Sequence, residues 1–208
     1  MPRPLLITGF GPFPGVPRNP SAALARRIGA LAPLKLGGIP VRVLILRTTY
    51  AAIPERLEPA LAEAPAAILM LGVATRAKRV RVEVQGRNRT SRLFPDASGR
   101  LASRLTLETD GPPARRSPAA APALATLRRH WIAAIPSRDA GRYLCNANYF
   151  RALRDAPPAL FVHIPLPPRT QRPAKAPVRP RREAPGERLA RACTEVARRL
   201  VVRGRAGG

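Results

Sequence analysis

The sequence predicts a single-domain α/β protein, a three-layer α/β/α sandwich around a twisted, largely parallel central sheet. Short apolar segments alternate with helical stretches along most of the 208 residues, which is typical of parallel sheets covered by helices on both faces. The run from Ala66 to Val73 is continuously apolar and indicates a strand buried on both sides. A chain of this length can form one full core.

The predicted strands are short apolar or alternating segments. Valines alternate with Arg81 and Glu83 in one of them, which indicates a strand with two unlike faces. In chain order, the strands are expected at residues 5–8, 41–46, 66–73, 80–84 and 160–164.

The predicted helices have apolar residues recurring on one side. The last of them places Leu189, Cys193 and Leu200 on a single stripe. In chain order, the helices are expected from Pro20 onward, then at residues 53–64, 118–130, 140–153 and 187–202. Residues 167–185 differ from the rest because they are rich in proline and arginine with almost no core residues, so we expect an exposed loop there.

Composition and cysteine content restrict the class of protein. The chain is 45% hydrophobic, but no apolar run reaches the roughly 18 residues of a membrane span, so no membrane partner is expected. The first residues contain no apolar signal segment of useful length. The two cysteines do not make a disulfide framework. We therefore expect a cytoplasmic protein.

The formal net charge of +25 raises the question of nucleic-acid binding. Apart from Lys35, Lys78 and Lys175, all basic residues are arginines. Arginine is accompanied by abundant alanine, proline and glycine, and GC-rich codons specify all four. Neither zinc-finger spacing nor aromatics alternating with basic residues are present. Nucleic acid is therefore not the expected partner.

A cysteine and a histidine form the most informative pair of residues. Cys145 lies near the start of a predicted helix that begins at about residue 139 or 140, where the helix dipole favours a negatively charged sulfur. His163 ends a predicted strand. α/β proteins often assemble a cysteine nucleophile and its base in this way. The alternative is a buried cysteine and a structural histidine.

The other candidate residues are fewer. Glu83 is a candidate for the carboxylate that orients His163, or else it forms a surface ion pair. Cys193 is expected in the core, and His130 is expected to cap a helix end. These cysteines and histidines have no recognised zinc-ligand spacing, so we expect no metal site.

The loop at residues 9–15 follows a strand and precedes a helix, where phosphate-binding loops occur. It lacks the glycine spacing of those loops, and its two prolines remove backbone donors. Phe10 and Phe13 indicate an apolar ligand surface instead, unless the loop only packs against the core.

Several segments, taken in order, resemble the pyroglutamyl-peptidase I family, also called pyrrolidone-carboxylate peptidases. The resemblance covers roughly residues 5 to 168. The matching segments are Thr8–Phe13 (TGFGPF) with Asn19-Pro-Ser, Glu83 followed by Asn88, Pro95-Asp96 with Gly99, Asp110-Gly-Pro, residues 139–146 (DAGRYLCN) and residues 161–165 (FVHIP).

The resemblance implies an intracellular cysteine-type omega peptidase with an α/β/α fold and no cofactor. Such enzymes remove an N-terminal pyroglutamyl residue from peptides through an acyl-enzyme. The family's triad falls on Cys145 as nucleophile, His163 as base and Glu83 as the group that orients His163. The pocket for the lactam ring would be formed by Phe10, Phe13, Asn19 and Val73.

The sequence departs from the family at three places near the implied site. Pro14-Gly15 stands where a Gly-Gly pair is common, Val73 where many members have glutamine, and Leu93, with Arg92 beside it, where many have arginine. These departures leave open a catalytically weak or silent member that binds small cyclic amides or peptides. The net charge of +25 keeps a basic nucleic-acid-binding protein as a less favoured alternative. A homo-oligomer is frequent in the family, but the atypical loop after Pro167 leaves this chain's oligomeric state open.

Overall fold

The computed structural model describes residues 2–154, 158–166 and 183–206. Strands and helices alternate through these ranges. The strands are β1 (Leu5–Phe10), β2 (Val41–Leu46), β3 (Ala67–Val73), β4 (Val80–Glu83), β5 (Gln85–Arg87), β6 (Ala114–Arg116), β7 (Ala134–Ser137) and β8 (Ala159–Ile164). The α-helices are α1 (Pro20–Leu31), α2 (Glu58–Ala62), α3 (Ala120–Arg129), α4 (Leu144–Ala152) and α5 (Pro185–Ala206).

Six strands form the central sheet in the order β2-β1-β3-β8-β4-β7. Every neighbouring pair is parallel except β4 with β8, which is antiparallel. β5 and β6 form a separate antiparallel pair. The prediction of a largely parallel sheet is confirmed.

The helices cover both faces of this sheet, as the alternation of side chains along β1 illustrates. Leu5 and Ile7 pack into one core together with α1, α3 and α5. Leu6 and Phe10 point the other way and pack into a second core with α2 and α4. The predicted three-layer α/β/α architecture is therefore confirmed.

The helix predicted at residues 53–64 is only partly formed. A wide helical turn covers Ile53–Leu57, and the α-helix that follows it ends at Ala62. Pro59 lies inside the predicted helix and removes a backbone donor that a regular helix would use, so a long uniform helix is disfavoured here. Elsewhere proline fits well: Pro20 occupies the first turn of α1, where no backbone donor is needed.

Three strands were not predicted. β5 and β6 have three residues each and lack an apolar alternation. β7 contains Pro136, which usually argues against a strand, but β7 is the last strand of the sheet order and can tolerate a missing donor. Whether such short strands form depends on hydrogen-bonded pairing with a neighbouring strand more than on the local sequence.

The loop predicted at residues 167–185 lies largely outside the described residues, because residues 167–182 are not covered. At its end, Pro185 already belongs to α5, which begins there and not at Glu187 as predicted. In the part of the chain that the structure describes, none of the helices is both long and apolar enough to cross a membrane.

Candidate active site

A cavity of about 490 Å³ lies where the carboxyl ends of β1, β3 and β8 meet the start of α4. Six of the seven predicted site residues line it. These are Phe10, Phe13, Asn19, Val73, Cys145 and His163. Glu83, the seventh, lies beneath the cavity and reaches it through His163.

The strand alternation directs the relevant side chains to one face of the sheet. Val80 and Val82 pack into the core with α1, α3 and α5, so Arg81 and Glu83 face the side of α4. By the same alternation, His163 faces that side from β8, since Val162 and Ile164 point to the opposite core. His163 and Glu83 thus come from two neighbouring antiparallel strands.

Glu83 and His163 form a direct contact inside the protein. His163 Nδ1 is 2.8 Å from Glu83 Oε1. The Glu83 side chain is completely buried, so the alternative of a surface ion pair is wrong, and His163 is 5% exposed. Glu83 Oε2 has no hydrogen-bond partner among the described residues. A buried carboxylate is costly unless a positive charge compensates it, so this contact favours the protonated imidazole.

The protonation of His163 reflects opposing influences. Burial lowers the pKa of His163, but the charge of the Cys145 sulfur and hydrogen bonding with it, followed by Glu83, raise the pKa from its ordinary 6.5 to about 9. Because Cys145 and Glu83 both raise the pKa of His163, its ring is held as an imidazolium at neutral pH between a carboxylate and a sulfur.

Cys145 lies in the first turn of α4. The helix starts at Leu144 and not near residue 139 or 140 as predicted. The preceding residues turn instead: Gly141 has φ of +89°, and its N–H donates to Asp139 Oδ1 at 3.0 Å. The sulfur is therefore closer to the helix N-terminus than expected, where backbone N–H groups without a helical partner attract negative charge.

Gly72 makes room for the sulfur. A Cβ at this position would lie 3.1 Å from Cys145 Sγ and 2.7 Å from Phe161 Cζ. Gly72 pairs with His163 in the β3–β8 register, so the missing side chain opens space directly beside the histidine. The sequence analysis did not identify Gly72 as a site residue, although a glycine ending an apolar strand is a recognisable sign of close approach.

Cys193 is different from Cys145 in every respect. It is fully buried in α5, and this burial raises the pKa of its thiol to about 12. Cys145 is half-buried and faces the cavity. Within the described residues, histidine, cysteine and acidic side chains do not gather in any group of three or more that could hold a metal ion.

The apolar wall of the cavity comes from β1 and the loop after it. Phe10 is buried against Phe161, with ring centroids 6.4 Å apart. Phe13 is held by a short antiparallel bridge to Val16, across a turn in which Gly15 has φ of +81°. Pro14-Gly15 therefore forms a tight turn.

Asn19 borders the cavity, but its polar atoms are engaged elsewhere. Its Nδ2 donates to the Gly11 carbonyl at 2.9 Å, and its Oδ1 accepts from the Ser21 backbone and hydroxyl. This side chain thus caps α1 and secures the loop after β1. Its contribution to the cavity is to position the loop that carries Phe13.

The two other sequence departures have unequal consequences. Val73 lines the cavity. Leu93 does not line it and is 79% exposed, while Arg92 donates to the carbonyls of Ala102 and Ser103 within its own loop. The difference at Val73 therefore bears on ligand contact more directly than the difference at Leu93.

Asn146, directly after Cys145, was missed as an important residue. It is fully buried. Its Oδ1 accepts from the Arg87 N–H at 2.8 Å, and its Nδ2 donates to the carbonyls of Arg87 and Arg89. One side chain thereby fastens the start of α4 to the chain beyond β4. Its position beside the cysteine was the available signal.

Comparison with known proteins gives consistent results. A family model described as pyroglutamyl peptidase matches residues 3–177. The pyrrolidone-carboxylate peptidase of Deinococcus radiodurans is 34% identical over 172 residues, which cover 77% of this chain and 77% of the relative. The pyrrolidone-carboxylate peptidase of Gloeobacter violaceus is 33% identical over 173 residues, which cover 79% of this chain and 82% of the relative.

Solved structures agree with the sequence relatives. The pyrrolidone carboxyl peptidase of Thermus thermophilus superposes with a TM-score of 0.73 at 33% identity, covering 91% of this chain and 96% of that one. The pyrrolidone carboxyl peptidase of Fervidobacterium islandicum superposes with a TM-score of 0.77 at 27% identity, covering 95% and 98%.

Proposed function

This chain belongs to the pyroglutamyl peptidase family of cysteine peptidases, and we propose that Cys145, His163 and Glu83 are the residues with which it removes N-terminal pyroglutamyl residues from peptides. The observation that carries the assignment is the buried 2.8 Å contact between Glu83 and His163 beneath the cavity that Cys145 lines. Nucleophile, base and orienting carboxylate are thereby available at one place.

The reaction begins with attack of Cys145 Sγ on the carbonyl carbon of the pyroglutamyl residue. The carbonyl oxygen gains negative charge, which the N–H groups at the start of α4 can stabilise. His163 then gives its proton to the leaving amine, and the C–N bond breaks to leave a thioester. Water, deprotonated by His163, attacks the thioester and releases pyroglutamate with the thiolate restored. Glu83 holds the ring orientation and supports the imidazolium.

Substrate choice follows from the cavity wall. Pyroglutamate has a neutral lactam in place of a charged amino terminus, so Phe10 and Phe13 can pack against it without burying a charge. A free glutamyl residue would bring both an ammonium and a carboxylate into this apolar region, and an N-terminal proline would bring a charged amine. Burying such groups without partners costs several kcal/mol.

Hydrolysis of fluorogenic amides tests this function directly. We expect the pyroglutamyl amide to be cleaved about a hundredfold better or more than the glutamyl and prolyl amides, because only the lactam is uncharged. Comparable rates on all three amides would contradict the proposed pocket.

The two cysteines supply a matched pair of variants for the same assay. Cys145→Ala should abolish hydrolysis, whereas Cys193→Ala should retain most of it, since Cys193 lies in the core. Loss of activity only in the Cys193 variant would overturn the assignment of the nucleophile. A parent protein that binds pyroglutamyl amides without cleaving them would instead be the silent family member.

We also propose a cytoplasmic location for the protein. Both cysteines are free thiols in the structure, which suits a reducing compartment. Fractionation of the source cells with immunodetection tests the location. Sedimentation analysis tests whether this protein forms a homo-oligomer, as is frequent in the family.

A further inference from the structure

One arginine of β4, Arg81, lies beside the candidate active site. In the β4–β8 register, Arg81 is directly opposite His163, and directly opposed residues share one face of a sheet. Arg81 lines the cavity and is half-buried. Among the described residues, its guanidinium has neither a carboxylate nor a carbonyl partner. A half-buried cation of this kind favours an anionic ligand.

The neighbouring charges do not neutralise Arg81. Glu83 contacts His163. Asp139 also lines the cavity, but its Oδ1 is 2.8 Å from Arg89 Nη2, so its charge is already compensated. Arg138 adds a second, exposed guanidinium at the cavity, likewise without a partner in the described ranges. The cavity therefore has an excess of positive charge on the side of β4.

The sheet order tells which part of a substrate would meet this charge. Extending the Thr8–Met70 register by two residues puts Phe10 level with Gly72, which pairs with His163, which in turn pairs with Arg81. Neighbouring strands are about 4.8 Å apart, so Phe10 and Arg81 stand at opposite ends of a row about 14 Å long. The lactam pocket is at one end, the nucleophile and base are in the middle, and Arg81 is at the other end.

A substrate bound along this row has its pyroglutamyl ring at Phe10 and its scissile bond between Cys145 and His163. Because His163 gives its proton to the leaving amine, the residue after the scissile bond extends toward Arg81. We propose that Arg81, aided by Arg138, binds a carboxylate on this leaving residue. The preferred substrates would then be pyroglutamyl peptides with an acidic second residue, or pyroglutamyl dipeptides with a free α-carboxylate. This inference rests on the proposed function.

Matched substrates distinguish a carboxylate on the side chain of the leaving residue from a free α-carboxylate. Pyroglutamyl-glutamic acid amide is compared with pyroglutamyl-glutamine amide, which differs only in side-chain charge. Pyroglutamyl-alanine is compared with pyroglutamyl-alanine amide, which differs only in the terminal carboxylate. We expect kcat/KM to favour the anionic member of at least one pair about tenfold, as charge-assisted hydrogen bonds exceed neutral ones by roughly this factor.

Variants assign the preference to Arg81. In Arg81→Gln, the kcat/KM of the anionic substrate should become nearly equal to that of its neutral counterpart. Arg203→Gln, on the exposed side of α5 behind the other face of the sheet, should keep the parent ratio. Should Arg81→Gln fail to fold, the parent enzyme still provides a test, since added NaCl should lower its ratio by screening.

The outcomes distinguish this inference from the proposed function. A parent enzyme that cleaves charged and neutral partners equally refutes the carboxylate preference and leaves the peptidase function standing. An unchanged ratio in Arg81→Gln refutes the role of Arg81. A parent enzyme that cleaves none of the four compounds refutes both proposals together.

Discussion

At the active centre, the protonation of His163 depends on its two neighbours. Cys145 and Glu83 both raise the pKa of this histidine, against the effect of burial, to about 9. A pKa raised above the ordinary 6.5 means that protonation of His163 stabilises the fold fully below pH 6.5. That contribution is lost as the pH rises toward 9.

In the proposed mechanism the leaving amine takes this same proton, which gives a prediction for the pH dependence of activity. In the parent enzyme, kcat/KM should fall on the alkaline side as His163 deprotonates near pH 9. Glu83→Gln removes a charge that raises the pKa of His163, so the alkaline limb should move to lower pH and the maximal rate should decrease. The pH profiles of kcat/KM for both proteins measure this shift.

An unmoved alkaline limb in Glu83→Gln would show that Glu83 has no influence on the base. His163→Ala serves as the reference for loss of the base and should be nearly as inactive as Cys145→Ala. Between these variants, Glu83→Gln should be the least damaging, because its amide oxygen still accepts a hydrogen bond from the ring.

At the scale of secondary structure, the site depends on how closely α4 approaches β3. Cys145 sits above Gly72, where no side chain separates the helix from the sheet. Asn146 fastens the same turn of the helix to the chain after β4. The start of α4, with Cys145, is thus held from two sides by elements distant in sequence.

Gly72→Ala tests this approach. The added methyl group would meet Phe161 at 2.7 Å and Cys145 Sγ at 3.1 Å, so one of them must move. We expect unfolding free energy to fall by about 1–3 kcal/mol. We expect kcat to fall by about 10- to 100-fold, because displaced catalytic groups lose rate steeply. Thermal unfolding and initial rates measure both effects.

Gly29→Ala is the matched control for crowding alone. Its added methyl group would meet the side chain of Val43 between α1 and the sheet, outside the cavity. The free energy of unfolding of Gly29→Ala should change, while its kcat, measured well below the unfolding temperature, should stay near that of the parent. Equal loss of kcat in both variants would mean that crowding anywhere in the sheet disturbs the site.

Over the whole molecule, positive charge is the dominant electrostatic feature. The sequence has 37 basic and 12 acidic residues, a formal net charge of +25. Ion pairs such as Arg27–Glu187, whose side chains are 50% and 27% exposed, contribute little in water. Repulsion among the remaining arginines therefore outweighs them and disfavours the compact state.

Salt should consequently stabilise the protein. Raising NaCl from about 0.02 M to about 0.3 M shortens the screening length below the spacing of many surface charges, so the melting temperature should rise by a few degrees. Differential scanning calorimetry measures the change, with an uncharged osmolyte at equal osmolarity as the control. A melting temperature that falls with NaCl would mean that the surface ion pairs outweigh the repulsion.

Much of the fold and of the candidate site could be read from the sequence because the signals are local. A continuously apolar run identifies β3, and ordered motifs point to Cys145, His163 and Glu83 as candidate site residues, which the fold brings together. Boundaries set by tertiary contacts could not be read in this way. The helix around Cys145 was expected to begin at residue 139 or 140, but Gly141 and Asp139 form a turn that delays it to Leu144.

The sequence by itself determined the α/β class and the family and supplied the candidate reactive side chains, since each rests on residue types and their spacing along the chain. The tertiary structure decided which side chains are neighbours at the site. Strand register places Arg81 opposite His163, and close packing of α4 on Gly72 puts the sulfur beside the imidazole. Register and packing depend on residues far apart in sequence, so no local pattern contains them.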